Sequence, residues 1–124
     1  MKLTFIKASD YNQNLKCTIH KTGKLGFSEA AISKLNFANN RYVKIARNEE
    51  DENDTSLYLQ VQTTTDEFCF MANKAGRYYY INTKAFFDNI GVDYRNQTII
   101  YDIVEFDYDG QKMFKLIRRE KRRK

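Results

Sequence analysis

The stretch HKTGKLGFSEAAISKLNF, residues 20–37, holds a turn, a short strand and an amphipathic helix, and the chain writes that pattern again as NKAGRYYYINTKAFFDNIGV, residues 73–92. Lys21-Thr22-Gly23-Lys24 matches Lys74-Ala75-Gly76-Arg77 at an offset of 53, and after a two-residue insertion SEAAISKLNF matches TKAFFDNIGV at an offset of 55. Ser28 and Thr83 stand where a hydroxyl can accept from the free amides of a first helical turn, with Asn82 a competing cap in the second copy. Ala31, Ile32 and Leu35 share one helical face, as do Phe86, Phe87 and Ile90. Asn36 and Gly91 fit the left-handed residue that closes a helix.

The flanks also match. RYVKIAR followed by SLYLQVQ answers TIIYDIVEF followed by KMFKLIRR, and Tyr42, Val43, Ile45 and then Leu57, Leu59, Val61 give the alternation of half-buried strands. NEEDENDT (48–55) and DYDGQK (107–112) are the connecting loops, the second turning on Asp109-Gly110. Each copy therefore reads strand, K-x-G turn, strand, helix, strand, turn, strand. The chain divides into an N-terminal strand and linker (1–14), a first ββαββ unit (15–63), a second (67–118) and a basic tail (119–124), with the two units sharing one core. The expected class is mainly β with two short helices, an α+β protein.

A length of 124 residues suits one ordinary domain or two very small ones with a common core. Hydrophobic residues make up 42% of the chain and charged ones 30%, a balance that argues against disorder. No run of about 20 apolar residues exists, so no membrane contact is expected. The opening MKLTFIKASDYNQ turns polar too soon for a secretory leader, and a cytoplasmic protein is expected. Cys17 and Cys69 stand singly beside one histidine, without C-x-x-C, which argues for reduced thiols and against a Cys/His metal centre or any cofactor.

The net charge of +5 is unevenly placed. KLIRREKRRK (115–124) holds seven Lys/Arg against one Glu, whereas the whole chain has 21 against 16, so the preceding 114 residues carry one more acid than base. The basicity is concentrated in a tail, a weaker nucleic-acid signal than a basic folded face.

Gly23-Lys24-Leu25-Gly26-Phe27-Ser28 with Leu35-Asn36-Phe37, and Gly76-Arg77 with Ile90-Gly91-Val92, resemble the AbrB/SpoVT-type swapped-hairpin DNA-binding domain. That family carries G-R-v-x-I-P, a short helix, L-G-I and two strands; the resemblance covers roughly residues 15–118. It implies interleaved hairpins closing a barrel-like core. With two units in tandem, an arrangement similar to MraZ, the chain is expected to form an intramolecular pseudo-dimer barrel, as a monomer or as a homodimer. The departures are specific. No proline starts either helix, and the positions where the family places DNA-contacting arginines hold Ile32 and Ser33, then Phe87 and Asp88.

Basic contacts are therefore expected from Lys21, Lys24, Lys74 and Arg77 beside the two glycine turns, and from Arg118, Arg119, Lys121, Arg122, Arg123 and Lys124 in the tail. The bland alternative for the turn lysines is that they keep hairpin edges soluble. In RYYYIN (77–82), Tyr78 and Tyr80 share a strand face; they are expected in the core, though exposed they would form a base-stacking platform. The carboxylates from Asp102 to Asp109 read as a solvated strand face. His20 matches Asn73, no Ser or Cys is placed with a base, and no glycine loop cradles a phosphate, so no enzyme is expected. The expected function is nucleic-acid binding, to DNA, as a transcriptional regulator or accessory factor. The alternatives are an antitoxin-type protein-interaction module using the acidic loop 49–54 and the tail, and a single-strand binder using Tyr78 and Tyr80.

Overall fold

The computed structural model describes residues 1–6, 8 and 14–119. Within residues 14–119, eight strands and two helices follow one another as β1 (Lys16–Ile19), β2 (Lys24–Phe27), α1 (Glu29–Leu35), β3 (Tyr42–Ala46), β4 (Leu57–Gln62), β5 (Cys69–Ala75), β6 (Tyr78–Asn82), α2 (Lys84–Asn89), β7 (Ile99–Tyr108) and β8 (Gln111–Arg118). This part of the chain is mainly β with two helices, as the alternation and the helix faces require. The strands close into a barrel in the order β1-β2-β6-β5-β3-β4-β8-β7, and every neighbouring pair is antiparallel. Closure gives every strand a neighbour on both sides. Residues 1–6 form no strand, and most of the rest of the segment expected to hold one, residues 7 and 9–13, lies outside the described residues.

Period-two alternation fills the barrel. Cys17, Ile19, Leu25, Phe27, Val43, Leu57, Leu59, Ala72, Tyr79, Ile81, Tyr101, Phe114 and Leu116 point inward and are buried. Each large apolar side chain so placed contributes roughly 1.5–3 kcal/mol. The helices seal the barrel with Ala31, Leu35 and Phe87. Phe37, directly beyond α1, sets its ring 4.9 Å from Phe27 and 5.6 Å from Tyr79, joining the two halves of the sequence.

Both helices end alike. The Asn36 and Phe37 amides donate to the Ser33 and Ile32 carbonyls, and the Gly91 and Val92 amides to those of Asp88 and Phe87. This is the crossed closure expected at Asn36 and Gly91. The starts differ. The Ser28 hydroxyl accepts from the Ala31 amide at 3.3 Å, as expected of a cap. Thr83 makes no such bond. Its hydroxyl is buried and donates to the Gly23 carbonyl at 2.8 Å, so the expected second cap is instead a tether to the first turn.

The loops follow their turn chemistry. Gly76-Arg77 joins β5 to β6 with glycine at positive φ in the first position, and Asp109-Gly110 joins β7 to β8 with both residues at positive φ. The β7–β8 hairpin runs well past its partner β4, which pairs only with residues 114–116 of β8.

Candidate nucleic-acid interface

The outer face of β1-β2-β6-β5 is set by the strands that fill the core. With Cys17 and Ile19 inward, Lys16 and Thr18 face out; with Leu25 and Phe27 inward, Lys24 and Gly26 face out. Ile81 pairs with Leu25 and Ala72 inside the barrel, which draws Tyr79 inward and turns Tyr78 and Tyr80 outward. Tyr78 is 53% exposed whereas Tyr79 is 8% exposed. The expectation that Tyr78 and Tyr80 belong to the core is therefore corrected: the middle tyrosine is the core residue.

These outward residues line an open groove of about 520 Å³. A row of cross-strand neighbours, Thr18, Gly26 and Tyr80, runs across it, with Asn73 next in the register. Gly26 is the notch in this row. Any side chain there would collide with the His20 imidazole, which lies against the strand. Lys24 places its ammonium 4.5 Å from the centroid of the Tyr80 ring, a contact of about 0.5–1 kcal/mol at an exposed site.

The two glycine turns flank the groove. Lys21 is exposed in the β1–β2 turn, and Lys24 opens β2 half-buried. Lys74 and Arg77 are exposed at the β5–β6 turn. The antiparallel β2–β6 register puts these turns at opposite ends of the strand pair, roughly 20–25 Å apart from the rise per residue. The four residues thus form two separate pairs of cations. The Arg77 guanidinium lies 3.8 Å from Glu29, an exposed contact of little energetic weight.

The tail residues divide. Arg118 is half-buried opposite Tyr101. Arg119 grips Asp102 with two nitrogens, at 2.8 and 3.0 Å to one carboxylate oxygen, and this bond raises its already high pKa. Its charge is largely spent within the fold. Lys121, Arg122, Arg123 and Lys124 lie outside the described residues.

Lys16 and His20 join the groove without having been singled out in the sequence. Two signals would have found them. Lys16, Thr18 and His20 alternate with the apolar Cys17 and Ile19, and an interior strand glycine such as Gly26 marks a close approach. Cys17 contributes no chemistry: burial pushes its thiol up, with the Asp102 carboxylate adding to the effect, and it is an inert core residue.

A second cleft, of about 340 Å³, opens between the acidic loop and the long hairpin, lined by Glu49, Glu50, Tyr58, Phe106 and Tyr108 among others. The Tyr58 hydroxyl donates to Asp54 at 2.7 Å, which holds the phenol neutral to about pH 12. Of the carboxylates on β7, Glu105 pairs with Lys34 at 3.4 Å and Lys112 at 3.2 Å. Among the described residues, no helix is long and apolar enough to cross a membrane. No family model, no curated protein and no solved structure matches the chain.

Proposed function

We propose that the chain is a non-enzymatic, cytoplasmic nucleic-acid-binding protein, a DNA-binding regulator or accessory factor built as a tandem AbrB-like pseudo-dimer. The strand pairings support the architecture. If the two halves of the sequence are exchanged, β2–β6 and β4–β8 map onto themselves, and β1–β7 maps onto β5–β3. Cys17 pairs with Tyr101 of β7, and Phe70, its match at the offset of 53, pairs with Val43 of β3. On this reading the chain repeats its pattern because each ββαββ unit needs a second to cover its apolar face.

The observation that carries the binding reading is one outer face on which lysines and outward tyrosines share a groove between two basic turns. Cations on exposed turns meet phosphates, and each contact made adds to the salt dependence of binding. The test is fluorescence anisotropy of the full chain on labelled DNA from about 50 to 200 mM salt. Against it stands the variant Lys21→Gln/Lys24→Gln/Lys74→Gln/Arg77→Gln. Weaker binding with a slope reduced by about 0.9 per lost duplex contact is expected. Unchanged affinity and slope would remove the four turn residues from the interaction.

One observation favours the antitoxin-type reading: the second cleft joins aromatic rings to Glu49 and Glu50, with Arg47 beside them, a mixed lining suited to a peptide segment. Loss of DNA binding to background in the wild-type chain would move the assignment there.

A further inference from the structure

We infer that the groove between the two basic turns takes single-stranded nucleic acid, with bases stacked on Tyr78 and Tyr80 and phosphates met by Lys16 and Lys24. This rests on the reading of the face as a nucleic-acid interface and names the form of strand it accepts.

The first ground is the pair of tyrosines. Single exposed aromatics are ordinary on a protein surface. Here two lie on one face of one strand, two residues apart, while the ring between them fills the core. That spacing is about 6.7 Å, close to twice the 3.4 Å rise of a stacked strand, so alternate bases can each engage one ring. Gly26, the cross-strand neighbour of Tyr80, has no side chain, and the His20 imidazole lies over it, which adds a third ring to the groove.

The second ground is charge. Among the described residues, none lining the groove is acidic. The carboxylate beside Lys16 in the register, Asp102, is already held by Arg119. Lys24 lies over Tyr80, and its flexible stem lets the ammonium swing from the ring to a phosphate as a base arrives.

The third ground is shape. Four strands abreast span about 14 Å, wider than the major groove of about 12 Å, which admits a helix or a two-stranded ribbon. A duplex also hides the base faces that the tyrosines would contact. An unpaired strand offers them, and aromatic stacking on a cationic groove is the general mode of single-strand binding.

The test uses the full chain with labelled oligothymidylate of about 16 nucleotides and a mixed-sequence duplex of similar length. Three proteins are compared: wild type, Tyr78→Ala/Tyr80→Ala and Tyr78→Phe/Tyr80→Phe. Both substituted side chains face outward, and thermal unfolding checks that the barrel stays intact. Wild type binds the single strand more tightly than the duplex. The alanine variant, which removes two rings, loses about 30-fold or more on the single strand with little change on the duplex, and the phenylalanine variant keeps its affinity. Equal losses on both forms, or single-strand affinity indifferent to the tyrosines, overturns the inference while nucleic-acid binding itself stands. If neither form binds wild type, the parent reading fails with it.

Discussion

The two glycine turns are written almost identically and carry different structural weight. Gly23 has φ +85°, its carbonyl receives the buried Thr83 hydroxyl, and a methyl group on its Cα would lie 2.7–2.9 Å from the Cα, Cβ and Cγ of Lys84. Gly76 has φ +62°, and a methyl group there would meet nothing within 4 Å. Both glycines satisfy the same local backbone need. Only the first is also wedged against the start of a helix from the far end of the sequence. A local motif specifies a turn; the weight the turn bears is decided by what packs on it.

The largest effect that would sharpen this comparison is from alanine at the two turns. Gly23→Ala adds a left-handed backbone penalty to a collision with Lys84 and is expected to cost about 2–4 kcal/mol. Gly76→Ala pays only the backbone part, about 1 kcal/mol. Urea unfolding of the two variants measures the difference. Equal losses would mean that the Gly23 turn relaxes away from α2 at no cost.

Next in size is the pair of helix starts. Thr83→Val removes the donor to a buried carbonyl and is expected to cost about 1–3 kcal/mol. Ser28→Ala removes a cap and is expected to cost about 1 kcal/mol. Because Thr83 and Gly23 touch, Thr83→Val and Gly23→Ala together should cost less than the sum of the two, whereas Ser28→Ala with Gly23→Ala should add. A double-mutant cycle on each pair separates the tether from the cap.

That contrast also marks what could be read in advance. The eight strands, the two helices and their closures at Asn36 and Gly91 all follow from short-range pattern, since each depends on residues within a few positions. Thr83 does not, because its partner Gly23 lies 60 positions away and no local rule distinguishes a cap from a tether. The tyrosine face was misread for another reason. Alternation gives a period but not a phase, and YYY is uniform. The phase was nonetheless present in Ile81, whose inward place fixes Tyr79 beside it and turns Tyr78 and Tyr80 out. The groove was harder still, since it needs β1, β2, β5 and β6 side by side, a pairing of strands more than fifty residues apart.

The smallest expected effect concerns a clasp on α2 that α1 lacks. The Asp88 carboxylate accepts from the Tyr94 hydroxyl at 2.6 Å, from Lys84 at 2.9 Å and from Arg95 at 3.2 Å. The matching position in the first half is Ser33. The Tyr94 bond first, then those from Lys84 and Arg95, hold the Asp88 carboxyl well below the usual carboxylate range. A carboxyl depressed in the fold stabilises it above the unfolded value of about 3.9, and this contribution fades as pH falls below that value. Tyr94 is buried, but the Asp88 carboxylate is exposed with Lys84 and Arg95, so screening keeps the charge effect small. Wild type should therefore melt above Asp88→Asn at pH 6 in low salt, and the gap should narrow toward pH 2 and in high salt. A gap that stays constant across pH would show that Asp88 acts through the shape of its hydrogen bonds, which asparagine disturbs, rather than through its charge. In that event α2 would be held chiefly by Phe87 and the Thr83 tether, and the two helices would differ less than their surfaces suggest.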